Sequence, residues 1–184
     1  MMLLPFSKNP DVLVWRMNLE MMDSLTLPQP VIFPGSFNPL HDGHKRLANA
    51  AYQYTGKPVW LEVSSKHCHK DDTDNLTARA YALGELREDW LAGVLITDEA
   101  TFEGKAKGLM SPQFLVGADV LVLMEKEYPD DVQQLKSLGI TFLAGSRTGV
   151  KVKDIPTIGP ITTFIGDYVD HGESSTEIRR RTNG

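Results

Sequence analysis

The sequence predicts an α/β protein built on a doubly wound, mostly parallel sheet, and two observations carry that expectation. Short apolar runs bounded by Gly, Pro and Asn recur along the chain, separated by stretches with the spacing of amphipathic helices. Four polar or Gly-containing segments then fall at the carboxyl ends of those runs, where a sheet of this kind opens its ligand crevice: Gly35–His44, Ser64–Lys70, Gly117–Asp119 and Gly145–Arg147. At 184 residues, 41% hydrophobic and 23% charged, the chain suits one domain with a substantial core.

Residues 1–29 read as an N-terminal extension to a domain spanning 30–184. Within the extension, Asp11–Leu25 places Val12, Trp15, Leu19 and Met22 at helical spacing and predicts a short helix, punctuated by Pro28 and Pro30. Val31–Phe33 is the domain's first strand. Gly43–Thr55 follows as a helix with Leu47, Ala48, Ala51 and Tyr52 facing inward. Val59–Val63 is the second strand, and Leu76–Trp90 the second helix, capped by Asp74 or Asn75. Val94–Ile96 is the third strand, leading through a polar loop to a short helix near Gly104–Leu109. Phe114–Val116 is the fourth strand, and Asp130–Leu138 a helix that Gly139 stops. Thr141–Leu143 is the fifth strand, Ile161–Ile165 a candidate sixth, and Ser174–Arg181 a last short helix. Trp60 and Trp90 read as packing aromatics, and Arg79 as a helix-surface residue.

Composition narrows the function. A net charge of −5 argues against broad nucleic-acid binding, which needs an excess of Lys and Arg. The single cysteine, Cys68, excludes an internal disulfide and suits a reducing compartment. No apolar run reaches the roughly 20 residues that span a bilayer. Met1–Phe6 lacks a basic leader and breaks at Pro5 and Lys8, so a cytoplasmic location is expected.

Chemistry concentrates in Gly35-Ser36-Phe37-Asn38-Pro39-Leu40-His41-Asp42-Gly43-His44. A strand, a tight turn and a helix start place two imidazoles and several backbone N–H groups at one helix N-terminus, where anions are stabilised. Gly35 lets the backbone approach a phosphate, and Asn38-Pro39 fixes the turn. The plainer alternatives are a turn with two surface histidines, or a metal site. Ser174-Ser175-Thr176-Glu177-Ile178-Arg179 supplies a second phosphate-friendly cluster, which favours the anion reading. Lys66-His67-Cys68-His69-Lys70 lacks a second ligand pair at zinc spacing and reads as a basic substrate loop. Asp71-Asp72-Thr73-Asp74 reads as a solvated acidic turn and helix cap, and no metal ligands are assigned.

His41-x-Gly-His44, following Gly35-Ser36-Phe37-Asn38-Pro39, resembles the HxGH motif of the nucleotidylyltransferase superfamily, and Ser174–Arg179 resembles its SSTxIR motif. Phe114-Leu-Val-Gly117-Ala-Asp119 is similar to a segment of nicotinamide or nicotinate mononucleotide adenylyltransferases. Glu127–Leu138 with Thr141–Arg147 looks most like a cytidylyltransferase-like or nicotinamide-nucleotide adenylyltransferase-like branch. The resemblance covers roughly residues 30–182 and implies a Rossmann-like fold. It departs at Glu173, where many relatives have an apolar residue, and in lacking an obvious aromatic-rich substrate loop.

The resemblance implies AMP transfer from ATP, with magnesium, to a phosphorylated small molecule, nicotinamide or nicotinate mononucleotide foremost, as in NAD biosynthesis. Gly35, Ser36, Phe37 and Asn38 would line the substrates, His41 and His44 would hold the triphosphate, and Ser175, Thr176 and Arg179 would grip its β- and γ-phosphates. Gly117 and Asp119 would contact the ribose and Lys70 a phosphate; independently of the resemblance, Arg147 at a strand end suits adenine stacking or phosphate binding. The implied partners are ATP and the acceptor, with neither nucleic acid nor membrane; a homo-oligomer stays open. Two alternatives stand beside this reading: a CTP-dependent cytidylyltransferase acting on a phosphorylated alcohol or sugar, and a non-catalytic nucleotide-binding module.

Overall fold

A computed structural model describes residues 4–5, 12–17, 29–64, 76–97, 99–106, 109, 111–128, 131–145 and 154–165. Leu4–Pro5 (β1) and Val12–Met17 (β2) precede six strands: Val31–Pro34 (β3), Val59–Ser64 (β4), Leu91–Thr97 (β5), Gln113–Gly117 (β6), Thr141–Gly145 (β7) and Thr162–Phe164 (β8). Among the described residues, five helices lie between them: Asp42–Thr55 (α1), Leu76–Gly84 (α2), Phe102–Ala106 (α3), Ala118–Glu127 (α4) and Asp131–Ser137 (α5).

The six later strands are all parallel and run in the order β5-β4-β3-β6-β7-β8, so the predicted doubly wound, Rossmann-like sheet is present. Strand periodicity assigns the two faces. Val31, Phe33, Leu61, Val63, Leu115 and Leu143 point to one core with Leu47, Ala48 and Ala51 of α1 and Leu83 of α2. Ile32, Trp60, Phe114, Val116 and Phe142 point to the other, with Ala106 of α3, Leu121 of α4 and Leu135 of α5. Trp60 and Trp90 are both buried, as packing aromatics should be. Among the described residues, no helix is long and apolar enough to cross a membrane.

Four local expectations are corrected. Val12–Met17 is a strand where helical spacing predicts a helix; it pairs antiparallel with β5, from Val12↔Thr97 to Trp15↔Val94. The open edge of β5 supplies a ladder of hydrogen bonds to a run that contains Val12, Val14 and Trp15, and that tertiary pairing overrides the 3/4 spacing. The rest of the expected helix lies outside the described residues. The second helix ends at Gly84 rather than Trp90, because the Trp90 carbonyl already accepts the Val59 N–H at 2.7 Å and so belongs to the sheet. A further helix, not expected from the sequence, spans Ala118–Glu127. There Ala118, Leu121 and Met124 make a buried stripe at i, i+3 and i+6. The sixth strand is shorter than expected, Thr162–Phe164, with a 3₁₀ turn at Gly159–Ile161 ahead of it. The helix expected over Ser174–Arg181 lies outside the described residues.

Gly145, at the end of β7, lies beneath Leu47 of α1: a Cβ there would sit 2.5 Å from Leu47 Cδ1. Gly145→Ala is therefore expected to lever Leu47 from its site and lower stability by about 1–3 kcal/mol, read as a lower urea midpoint. Combined with Leu47→Ala, which removes the colliding atoms, it should cost less than the sum of the two single changes. Strict additivity would show that the contact is relaxed elsewhere.

Candidate active site

β3 is covered on both faces, so the chain leaving Pro34 has to turn sharply before α1 begins at Asp42. The Gly35 N–H donates to the Glu62 carbonyl at 3.0 Å, which ties the start of the turn to β4. Phe37 sits at φ +45°, in the left-handed region, which for a bulky side chain stores roughly 1–3 kcal/mol of strain. Its ring folds back over Gly35, where a Cβ would lie 2.7 Å from Phe37 Cζ. Only glycine fits beneath it. The Asn38–Pro39 bond is cis, and Asn38 and Pro39 form the bend that delivers His41 to the head of α1.

The same ring builds a cradle for His44. Phe37 meets Phe33 edge-on at 5.3 Å and His44 edge-on at 5.1 Å, and the His41 and His44 rings lie 3.8 Å apart at 35°. His41 caps α1 in extended conformation, its carbonyl accepting the N–H groups of His44 at 2.9 Å and Lys45 at 3.2 Å. Its own N–H donates to His44 Nδ1 at 3.4 Å. An accepting Nδ1 assigns the ring proton of neutral His44 to Nε2. Two imidazoles are thereby fixed at the amino end of a helix, where backbone N–H groups and the helix dipole favour an anion.

β3 and β6 are neighbours, paired Val31↔Gln113 and Ile32↔Phe114. The helices that follow them pack on opposite faces, so their connections diverge and leave a crevice at the topological switch point. Gly117 caps α4 there, Asp119 is exposed in its first turn, and Gly145 of β7 pairs with Gly117. Gly35, Ser36, Phe37, Asn38, His41, His44, Gly117 and Asp119 are thus brought to the carboxyl ends of adjacent strands. Lys70, Arg147, Ser175, Thr176 and Arg179 lie outside the described residues, as do the Lys66–Lys70 and Asp71–Asp74 tracts. Among the described residues, no three His, Cys, Asp or Glu side chains cluster to hold a metal.

From residue 32 to residue 181 the chain matches the model of the cytidylyltransferase-like family. It belongs to that family. The match makes it a member of the nucleotidyltransferase superfamily and spans both the His41–His44 motif and the Ser174–Arg179 segment. No curated protein matches the chain significantly.

Two features of this cytidylyltransferase-like site escape the sequence reading. Arg79 is not a surface residue: it is 7% exposed, and its Nη1 donates to the Ser36 carbonyl at 2.8 Å. The tight turn aims a carbonyl at α2, and a long guanidinium arm is suited to reach it. Between the turn and α2 lies a groove of about 640 Å³, lined by Phe37, Leu40, Lys45, Arg79 and Leu83 among others. Lys45 spans from α1 to Glu88 at 2.9 Å.

The second feature is Glu62, 1% exposed on β4. Its carboxylate accepts from Lys105 Nζ of α3 at 2.7 Å, and the Thr97 hydroxyl of β5 donates to its other oxygen. Burial pushes the Glu62 carboxyl above the usual range, and the Lys105 ammonium and Thr97 hydroxyl offset part of that. A glutamate within the otherwise apolar run Val59–Val63 was the available signal.

Removing one partner of such a pair strands the other. Lys105→Met is expected to destabilise the protein by about 3–5 kcal/mol at neutral pH. Without Lys105, the folded-state pKa of Glu62 rises further above its unfolded value. The carboxyl's contribution is then intact below the unfolded pKa and lost as pH rises through the folded one. The deficit relative to wild type should therefore be small near pH 4 and grow toward neutrality in urea titrations. A deficit independent of pH would mean that Lys105 acts through packing alone.

Proposed function

We propose that this chain is an adenylyltransferase that moves AMP from the magnesium complex of ATP to a phosphorylated small molecule, nicotinamide or nicotinate mononucleotide, and releases pyrophosphate. One observation carries the reading: the paired His41 and His44 rings, 3.8 Å apart at the amino end of α1, beside the β3/β6 switch point. The magnesium ion arrives with the triphosphate as part of the substrate.

In the reaction, a phosphate oxygen of the acceptor attacks the α-phosphorus in line. The bond from that phosphorus to the bridging oxygen breaks, and its electron pair leaves on pyrophosphate. An acceptor that is already anionic needs no general base, so orientation and charge stabilisation supply the catalysis. His44, donating through Nε2, and His41 would bind the oxygens on which charge develops. Gly35, Ser36 and Asn38 would bring backbone close to the triphosphate, and Gly117 and Asp119 would serve the ribose. The resemblance extends the same logic to Lys70, Ser175, Thr176 and Arg179, and its place in the sequence just past a strand extends it to Arg147.

Pyrophosphate release, measured with magnesium and each pairing of ATP or CTP with nicotinamide or nicotinate mononucleotide, tests this. ATP with a pyridine mononucleotide should support turnover, and His44→Ala should reduce it by about a hundredfold or more with the thermal midpoint retained. Release from CTP alone would overturn the choice of nucleotide. Nucleotide binding without release from any pair would overturn the choice of acceptor and point to another phosphorylated acceptor or to a binding module.

A further inference from the structure

The peptide between Ser36 and Phe37 is held in the less comfortable of two orientations. Phe37 has φ +45°, yet the residue is only 3% exposed and its ring is fixed between Phe33 and His44. Turning the Ser36–Phe37 peptide plane over by half a turn changes Ser36 ψ and Phe37 φ by nearly equal and opposite amounts. Phe37 would then lie at about −135°, in the broad β region that any bulky residue favours. The ring need not move. The backbone preference of Phe37 therefore opposes the observed orientation, and an interaction that holds it is to be sought.

The Ser36 carbonyl identifies that interaction. In this orientation it accepts Arg79 Nη1 at 2.8 Å, from a side chain buried on α2. A charge-assisted hydrogen bond from a guanidinium that is itself largely buried is among the stronger single contacts available. In the flipped orientation the carbonyl would point away, and the guanidinium would face the Phe37 N–H, a donor facing a donor. Because the peptide is planar and trans, fixing the carbonyl also fixes the Phe37 N–H on the opposite side of the plane, away from Arg79.

We propose that Arg79 is a positioning residue that latches the Ser36–Phe37 peptide against its local preference, so that the Phe37 N–H is kept as a donor to the triphosphate. The role as donor rests on the proposed nucleotide site; the latch itself does not. In this role Arg79 acts through the peptide it holds. The arrangement also explains why Phe37, rather than a glycine, tolerates this conformation: the ring anchors His44 while Arg79 restrains the backbone.

The latch is tested without ligand by the three-bond HN–Hα coupling of Phe37 in ¹⁵N-labelled protein, which reports φ directly. Wild type should give the intermediate coupling of φ near +45°, and Arg79→Met the large coupling of an extended residue. An unchanged coupling in a folded Arg79→Met protein would overturn the proposal. If that variant does not fold, Arg79→Lys retains the buried charge on a shorter, single-point arm, and the coupling should move in the same direction by less; no movement overturns the latch. The donor role is read separately, by calorimetric titration with ATP. Arg79→Met should bind about tenfold more weakly, and equal affinity in both proteins would remove the donor role. Wild-type protein that binds no ATP would sink the nucleotide site while leaving the coupling result to stand on its own.

Discussion

Between Pro34 and Asp42 the chain must leave a strand covered on both faces and enter a helix lying across one of them, and the polar groups that it buries on the way need partners. The partners that the turn finds explain much of the surrounding structure. The Gly35 N–H reaches back to the Glu62 carbonyl of β4, the Ser36 carbonyl takes Arg79 from α2, and the His41 carbonyl takes the first N–H groups of α1. A turn tied to three elements resists repositioning as a unit. That is what an anion site requires, since fixed dipoles need no reorganisation when charge arrives.

β4 joins this turn to the far side of the sheet. Through its backbone, Glu62 holds Gly35; through its side chain, it holds Lys105 of α3 and Thr97 of β5. Both charges of the pair are nearly inaccessible, at 1% and 7% of side-chain exposure. Their desolvation consumes much of the attraction between them, so an apolar pair of similar volume would stabilise the fold as well or better. What the ion pair adds is direction: α3 is short, and a single charged contact fixes where along β4 and β5 it docks. Glu125 of α4 works in a similar way, accepting the N–H groups of Thr157 and Ile158 at 2.8 and 3.0 Å; desolvation pushes its carboxyl up, but the hydrogen bonds together with the Lys136 charge outweigh it and hold the carboxyl below the usual range.

The layered architecture was legible because burial imposes period: apolar runs such as Val31–Phe33 and Thr141–Leu143 can satisfy two cores only as central parallel strands. Placement of Gly35–His44 and Gly117–Asp119 at strand ends followed from the same logic. Legibility failed where a distant partner decided the outcome. Val12–Met17 has helical spacing, but the edge of β5 selects a strand. Arg79 looks like an exposed helix residue until the Ser36 carbonyl is seen to need it. Neither partner is near in sequence, and neither leaves a mark on local composition.

The switch point alone does not separate this chain from the many other proteins that share such a sheet, because a crevice at the ends of β3 and β6 suits many ligands. The distinction lies in how His44 is used. Its Nδ1 is turned to its own helix cap, so the ring offers Nε2 as its donor, and Phe33, Phe37 and His41 decide where that donor points. Donation from Nε2 does not require a charged ring. The imidazole can therefore serve as an oriented dipole that two phenyl rings and a second imidazole hold in register with the N–H groups of α1. In the reaction proposed above, an arrangement of that kind would favour charge spreading over phosphate oxygens more than a compact, spherical anion, and the aromatic cradle would then serve the chemistry as well as the core.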